Sequence, residues 1–285
     1  MVTVDSRVRT HPELLLKVPP ASSNSPSATI AGVRLDALGF DAVVDAIVTR
    51  AVGGAEPSYV VTPNAHHVVL FQDDALFREI YRRAFLVVPD GVPLLWAAKL
   101  LGAPLRGRVN GTDLFEALCA QAARRGLSVF LLGGREGAAA AAAERLGARH
   151  PDLRICGTYC PPPGFEKDPA ESARVLATIG AARPHLLFVG LGAPKQEYWM
   201  YRNVERLSVP VSIGIGVSFE LVAGVVARAP RWMQHAGLEW LYRLGVEPAR
   251  LWKRYLFGNA RFCTLILRQY ATRCWRRVLR ARSSP

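Results

Sequence analysis

Polar and glycine-rich turns follow several apolar runs of this 285-residue chain, and they carry most of the side chains that could do chemistry. The first turn, VTPNAHH, offers Thr62, Asn64 and the adjacent His66 and His67. The next turn, VPDGVP, offers Asp90, a carboxylate that could act as a general base on a hydroxyl group. Three glycine-rich turns follow, with the sequences LLGGREG, GLGAPKQE and GIGVSFELVAG.

Two of the glycine-rich turns are candidate contacts for a nucleotide or a pyrophosphate, because bare backbone N–H groups at a helix start suit phosphate. The candidate residues in LLGGREG and GLGAPKQE are Gly133, Gly134, Gly190, Gly192, Lys195 and Gln196. Neither turn has the spacing G-x-x-x-x-G-K-[ST] or G-x-G-x-x-G. The sequence therefore disfavours a P-loop ATPase and an NAD-dependent oxidoreductase.

Each turn also has a purely structural interpretation. Glycines after strands are often turn formers, and Asp-Gly is a common turn pair. Thr62 and Asn64 could simply cap the next helix. The convergence of several such turns favours a ligand-binding site. Ligands of an open α/β sheet bind outside the carboxyl ends of the strands, and these turns would face one crevice there.

No metal ion is expected at this crevice. The chain has no D-x-D motif, and Asp73 and Asp74 open a helix, where a solvated cap is the simpler interpretation. His66 and His67 are adjacent rather than four residues apart, and no cysteine is near them in sequence. The five cysteines form no C-x-x-C pair, which argues against a zinc site and a disulfide framework and favours a reducing cytoplasm.

Strand-like and helix-like segments alternate from about residue 28 to 217. This pattern predicts an α/β fold with a doubly wound, mostly parallel, Rossmann-like sheet in a single catalytic domain over residues 28–227. Residues 1–27 are rich in Ser and Pro and are predicted to be a disordered tail. No signal peptide and no run near the roughly 18 apolar residues of a membrane span is recognisable. The strand-like runs lie at 58–62, 84–89, 128–134, 153–159, 185–192 and 209–216.

Nearly all the excess positive charge lies at the C-terminus. Residues 228–285 contain 13 basic and 2 acidic residues, a net charge of +11 out of +13 for the chain. Apolar residues from Trp252 to Val278 recur at helical spacing and form one predicted stripe. Such a basic, Trp-bearing helical appendage is typical of binding to an anionic membrane surface. The alternatives are a helix packed on the core with solvated arginines, and nucleic-acid binding, which no recognised motif supports.

Taken together, the motifs TPNAHHVV, PDGVPLLWAAKLLG, GRVNGTDL, FLLGGREG, GLGAPKQE and ARAPRWMQHAGLEWLYRLGVEPARLWKRYL resemble those of the WecG/TagA/CpsF glycosyltransferases of bacterial envelope polysaccharide assembly. The resemblance covers about residues 30–258. It implies metal-independent, inverting transfer of an N-acetylmannosamine-type sugar, or a related hexose or uronic acid, from a UDP donor. The implied acceptor is a sugar on polyprenyl pyrophosphate, and the implied location is the inner face of the cytoplasmic membrane, with the protein bound peripherally.

The resemblance also implies roles for individual residues. Asp90 would be the general base, while Thr62 and Asn64 would position the acceptor or donor sugar. Gln196 and Lys195 would hydrogen-bond uridine or diphosphate. Arginines are implied at the acceptor pyrophosphate and the membrane: Arg108, Arg228, Arg231, Arg250 and Arg254.

Two questions remain open from the sequence. The family usually has Phe-Asp where this chain has Phe219 and Glu220, so the role of Glu220 is undetermined. A non-catalytic protein that binds nucleotide sugars or nucleic acid through its basic tail is the alternative function. Self-association into a homo-oligomer is compatible with either function.

Overall fold

The computed structural model describes residues 26–53 and 56–282, whose strands form two sheets. Strands β1 (Ser27–Ile30) and β2 (Val33–Asp36) pair as an antiparallel hairpin. The second sheet is entirely parallel. Its strands are β3 (Ser58–Val61), β4 (Leu86–Val87), β5 (Ser128–Gly133), β6 (Arg154–Tyr159), β7 (Leu186–Gly190) and β8 (Val211–Gly214).

Helices separate the parallel strands and extend beyond the last one. The helices are α1 (Phe40–Val52), α2 (Ala65–Asp73), α3 (Ala75–Arg83), α4 (Val92–Leu101), α5 (Gly111–Arg125), α6 (Ala138–Arg149), α7 (Pro169–Ala182), α8 (Lys195–Leu207), α9 (Ser218–Val222), α10 (Arg231–His235), α11 (Glu239–Val246) and α12 (Pro248–Arg282). The predicted α/β class with a mostly parallel sheet is thus confirmed. The β1–β2 hairpin was not predicted, because exposed residues interrupt its short strands, which therefore leave no continuous apolar run.

The order of strands in the parallel sheet is β4-β3-β8-β7-β5-β6. The chain passes from β3 to its neighbour β4, and then crosses to β5 on the far side of β8 and β7. Strand order therefore changes direction beside β3 and β8. Open α/β sheets bind their ligands at such a switch point, outside the carboxyl ends of the strands.

Two hydrophobic clusters cover the two faces of the parallel sheet. Alternate residues of one strand belong to different clusters: Val61 packs with α2, α3 and α8, whereas Val60 packs with α1 and α5. The four residues of β3 and the five of β7 are all buried. Burial on both faces explains why these strands are continuous apolar runs without alternation.

The last helix, α12, packs along the outside of α2 and α4. Phe262 and Ile266 are buried in the cluster on that face of the sheet. Arg261 forms an ion pair with both oxygens of Asp73, with a distance of 2.6 Å from Nη2 to Oδ1. The Gln269 amide accepts a hydrogen bond from the Ala31 N–H at 2.7 Å and donates one to the Thr29 carbonyl at 2.9 Å.

These contacts divide the apolar stripe that the sequence predicts for this segment. Phe262 and Ile266 face the core, while Leu256 and Leu267 are exposed. The domain boundary at residue 228 stays a prediction, and so does the tail at 1–27, of which only the last two residues are described. No helix within the described ranges is long and apolar enough to cross a bilayer.

Gly190, at the end of β7, permits a close approach between the sheet and α9. A Cβ at this position would lie 2.8 Å from two ring carbons of Phe219 and 3.1 Å from the Gly216 carbonyl oxygen. Phe219 is completely buried, so its ring has no free space into which it could move.

We therefore expect Gly190→Ala to lower the free energy of unfolding by about 1–3 kcal/mol, the usual cost of overpacking a core. The measurement is urea denaturation followed by circular dichroism. Gly180→Ala is the matched control, because Gly180 is exposed in α7 and a Cβ there would meet nothing within 4 Å. The control should be neutral or stabilising by up to about 1 kcal/mol. Equal effects of the two substitutions would contradict the packing argument.

Candidate active site

A cleft of about 240 Å³ opens at the carboxyl ends of β3 and β8. One wall consists of the turns that follow β3, β4 and β8, and the opposite wall consists of α11 and the start of α12. The side chains that matter for chemistry are Thr62, Asn64, Asp90, Arg108, Asn110, Gln196, Glu239 and Arg243. The cleft thus lies where the strand order predicts a ligand site.

Asp90 follows β4 and is held in the cleft by two donors. Its Oδ1 accepts hydrogen bonds from the Asn110 side-chain amide at 2.9 Å and from the Gly111 N–H at 3.3 Å. The Asp90 N–H donates to the Pro63 carbonyl at 2.9 Å. Oδ2 has no hydrogen-bond partner among the described residues, so one oxygen of a fixed carboxylate is available to a ligand.

The surroundings of Asp90 raise the pKa of its carboxyl group above the usual 3.8. Burial is the largest cause of the increase, and the negative charge of Glu239 adds to it. The positive charges of Arg108 and Arg243 act in the opposite direction, as does the Gly111 N–H. A raised pKa strengthens a carboxylate as a base, which is the property that general-base catalysis needs.

Asn110 positions Asp90 and begins α5. Its Oδ1 accepts from the N–H groups of Thr112 at 3.0 Å and Asp113 at 3.3 Å, so Asn110 is the N-cap of this helix. Asn110 was not among the residues predicted from the sequence. Its capping role could have been inferred, because Asn is a preferred N-cap residue and this one directly precedes Gly-Thr-Asp at the helix start.

Two arginines fasten the C-terminal segment to the sheet domain at the cleft. Arg108 Nη1 lies 2.6 Å from Glu239 Oε2 of α11. Arg228 Nη2 lies 2.7 Å from Asp113 Oδ1, and it also donates to Asn110 Oδ1 at 3.3 Å. Arg108 lines the cleft together with Asp90, and Arg228 contacts the Asn110 amide that holds Asp90. Each of the two arginines has a carboxylate partner in this structure.

Thr62 and Asn64 line the cleft, and each also makes a structural hydrogen bond. The Thr62 hydroxyl donates to the Gly214 carbonyl at 3.0 Å, which joins the carboxyl ends of β3 and β8. The Asn64 Oδ1 accepts from the His66 N–H at 3.0 Å and caps α2. The capping interpretation of Asn64 is correct. A role of either residue in binding a sugar stays a prediction.

A buried polar network lies beneath the cleft. His67 Nε2 lies 3.2 Å from Glu197 Oε1, which also accepts from the Gln196 amide at 2.9 Å. The Gln196 Oε1 accepts from the Gly216 N–H at 3.0 Å. Gln196 therefore supports the turn after β8, and its predicted contact with uridine or diphosphate stays a prediction.

Glu197 is fully buried, and its Oε2 has no hydrogen-bond partner among the described residues. Burial raises the pKa of its carboxyl group, but the hydrogen bond and charge of His67 and the Gln196 amide outweigh burial, so the pKa lies below the usual 4.5. The sequence did not reveal this pair, because His67 and Glu197 are 130 residues apart in the chain.

The predicted glycines occupy two different environments. Gly192 lines the cleft beside Gln196. Gly133, Gly134 and Gly190 lie outside the cleft lining, where a Cβ would meet Leu191, Phe219 or the Gly190 backbone at 2.8–3.1 Å. These three glycines therefore have a packing role, whereas their predicted contact with a nucleotide is untested.

Glu220, whose role the sequence left open, is buried and supports the turn after β5. Its Oε1 accepts from the Arg135 N–H at 2.9 Å, while Oε2 has no partner among the described residues. This bond joins α9 to the LLGGREG turn.

The remaining predicted cations lie away from the cleft lining or outside the described side chains. Lys195 is exposed, with Nζ 3.8 Å from Glu166 Oε1, and Arg231 is exposed at the start of α10. The side chains of Arg250 and Arg254 are not among those described. Within the described ranges, no three His, Cys, Asp and Glu side chains are grouped closely enough to hold a metal ion.

Comparison with known proteins gives a consistent match. The Glycosyl transferase WecG/TagA/CpsF family matches residues 28–276. An N-acetylglucosaminyldiphosphoundecaprenol N-acetyl-beta-D-mannosaminyltransferase of Bacillus spizizenii is 31% identical over 233 residues, which cover 79% of this chain and 88% of the relative. The protein of the same name from Bacillus subtilis is 31% identical over 183 residues, covering 64% of this chain and 69% of the relative.

The buried network predicts a pH-dependent stability. Glu197→Gln should lower the free energy of unfolding by about 1–3 kcal/mol at neutral pH, since it removes a charged acceptor from His67. The pKa of Glu197 is lower in the folded state, so its contribution is complete above 4.5 and is lost as the pH falls through the folded-state pKa.

The difference between wild type and variant should therefore shrink in acid. Urea denaturation across a pH series measures it. Glu205→Gln is the control, because Glu205 lies exposed on the same helix α8. A pH-independent difference for Glu197→Gln would contradict the proposed charge interaction.

Proposed function

The chain belongs to the WecG/TagA/CpsF family of glycosyl transferases, and from this premise we propose its substrates and its mechanism. It transfers an N-acetylmannosamine-type sugar, or a related hexose or uronic acid, from a UDP donor to a sugar linked to polyprenyl diphosphate. The acceptor class follows the names of the two Bacillus relatives. The reaction serves the synthesis of a cell-surface polysaccharide.

The observation that carries this proposal is the geometry of Asp90. Its Oδ1 is fixed by Asn110 and Gly111, and its Oδ2 has no partner among the described residues of the cleft. The other carboxylate of the cleft near Asp90, Glu239, is paired with Arg108 at 2.6 Å. One available carboxylate suits a single displacement, which needs a base and no second nucleophile.

The proposed step is a direct substitution at the anomeric carbon of the donor. A hydroxyl oxygen of the acceptor sugar forms the new glycosidic bond while the bond from the anomeric carbon to the UDP oxygen breaks. Asp90 takes the hydroxyl proton, and UDP leaves with the bonding electron pair. Attack from the face opposite UDP inverts the anomeric configuration.

Positive charge in the cleft supports binding of diphosphate. Arg243 lines the cleft, and its side chain makes no ion pair with a described residue. Arg108 also lines the cleft and is paired with Glu239, and Arg228 reaches Asn110 of the lining from its pair with Asp113. Arginine binds phosphate oxygens through a planar fork of donors, so these three side chains suit the diphosphates of donor and acceptor.

We propose that the protein works peripherally on an anionic membrane, where a polyprenyl-linked acceptor resides. Exposed tryptophans and basic residues of the C-terminal segment support this location, among them Trp232 and Trp275 beside Arg231 and Arg276. Tryptophan prefers the membrane interface, and basic residues are attracted to anionic lipids. We propose in addition that transfer needs no metal ion.

A direct test is UDP release from a panel of UDP-sugars, with and without a soluble prenyl-diphosphate-linked N-acetylglucosamine. We expect acceptor-dependent release from one donor, unchanged by EDTA. Release without any acceptor, or none from every donor, would contradict transfer, and loss of activity in EDTA would contradict metal independence.

Asp90→Asn should lower the transfer rate by about 10²–10⁴-fold, because the amide cannot accept the hydroxyl proton. UDP binding, measured by calorimetry, should be retained. Asp152→Asn, an exposed position in the turn before β6, serves as the control and should transfer at the wild-type rate. Comparable activity of Asp90→Asn and wild type would remove Asp90 from the mechanism.

Arg108→Gln should move the acid limb of the profile of kcat/KM against pH to higher pH. Transfer needs the ionised form of Asp90, so activity falls as the pH decreases through a pKa above 3.8. The positive charge of Arg108 lowers the pKa of Asp90, and Arg108 also pairs with Glu239, whose negative charge raises that pKa. Removal of Arg108 therefore raises the pKa of Asp90 directly and also by leaving Glu239 without this partner. Arg149→Gln, at an exposed ion pair with Glu116, should leave the limb in place. An unshifted limb in Arg108→Gln would indicate that another group titrates.

A further inference from the structure

A second concave surface lies between α11 and α12. This groove has a volume of about 460 Å³ and is lined by Trp240, Leu244, Trp252, Leu256 and Asn259. Among the side chains that the structure describes, four of these five are large and apolar, and none of the five is charged. The groove is therefore chemically unlike the cleft, whose lining contains Asp90, arginines and amides.

The groove adjoins the cleft. Trp240 and Asn259 line both of them, so the two cavities meet at these side chains. Arg243 lies on α11, one helical turn after Trp240, and faces the cleft. The cleft is polar and carries arginines, whereas the adjoining groove is apolar.

Two of the four apolar lining residues of the groove are exposed. Leu256 is 62% exposed and Trp252 is 44% exposed, and the ring of Trp252 lies 6.3 Å from that of Phe257, which is also exposed. A contiguous exposed apolar surface rimmed by polar residues marks a site for an apolar partner.

We propose that this groove binds the first isoprene units of the polyprenyl diphosphate acceptor. The inference rests on the proposed function. When the acceptor sugar reaches Asp90, its diphosphate lies among the arginines of the cleft, and the prenyl chain begins at that diphosphate. The chain must then leave the cleft over an apolar surface, and the groove between α11 and α12 is an apolar surface that adjoins the cleft.

The chemistry of the groove fits branched hydrocarbon. Burial of apolar surface is non-directional, so leucine and tryptophan side chains can bind isoprene units without polar contacts. Binding part of the chain to protein also places the diphosphate at one depth relative to Asp90. Holding a reactant in one position lowers the entropic cost of reaching the transition state.

The test uses water-soluble acceptors in which one, two or three isoprene units carry the diphosphate and N-acetylglucosamine, without membrane or detergent. For the wild type we expect the acceptor KM to fall at least about tenfold from the shortest to the longest chain, since each buried CH₂ favours binding. The readout is the ratio of the two KM values within one protein, so a partly inactive preparation does not alter it.

Two leucines of α12 provide a matched pair of variants. Leu256 lines the groove and is 62% exposed, whereas Leu267 lies outside the groove lining and is 61% exposed. Leu256→Gln should lower the KM ratio, because it replaces one of the four apolar lining side chains with a polar one. Leu267→Gln, the same change at the same exposure on the same helix, should keep the wild-type ratio.

Each alternative has its own result. A wild-type KM that does not depend on chain length overturns the inference and leaves the proposed function intact. If Leu256→Gln keeps the wild-type KM ratio but binds anionic vesicles more weakly, the groove is a membrane-insertion surface. If the variant keeps the ratio but loses self-association in sedimentation, the groove is a contact between two copies. Both results overturn the inference. Absence of transfer from the wild type to every acceptor contradicts the proposed function itself.

Discussion

The candidate active site depends on a single side-chain amide, that of Asn110. Its nitrogen donates to Asp90, and its oxygen accepts from the first N–H groups of α5 and from Arg228. The carboxylate, the helix start and the C-terminal segment therefore meet at one planar group whose two ends are chemically distinct. Because a helix N-terminus carries positive partial charge, the amide also holds Asp90 where its ionised form is favoured against the effect of burial.

A second set of contacts secures the floor of the same cleft. The Thr62 hydroxyl joins the ends of β3 and β8, and the Gln196 amide joins the turn after β8 to buried Glu197. These hydrogen bonds lie within the protein and keep the turns in place. The arginines differ, because their carboxylate partners Glu239 and Asp113 are partly exposed, and exposed ion pairs contribute little to stability.

Much of the sheet could be predicted from the sequence, because strands buried on both faces leave continuous apolar runs, and each of the six predicted runs contains one strand. Asp90 could be selected because it directly follows a strand-like run, whereas Arg108 was selected through the resemblance of its GRVNG motif to the family. The partners were not predictable in the same way. Glu197 meets His67 across 130 residues, and the division of the α12 stripe into Phe262 and Ile266 inside and Leu256 and Leu267 outside depends on where the helix docks. Local periodicity contains no information about such long-range contacts.

The hydrogen bonds of Gln269 to the β1–β2 hairpin bear on the order in which parts of the structure can form during synthesis. This contact spans 240 residues, and the helix that makes it also forms one wall of the cleft. Chains are synthesised from the N-terminus. The turn with Asp90 is therefore made before α12, and the hairpin cannot form this contact until Gln269 has been made. The wall that α11 and α12 contribute is thus added to a cleft whose turns have already been synthesised.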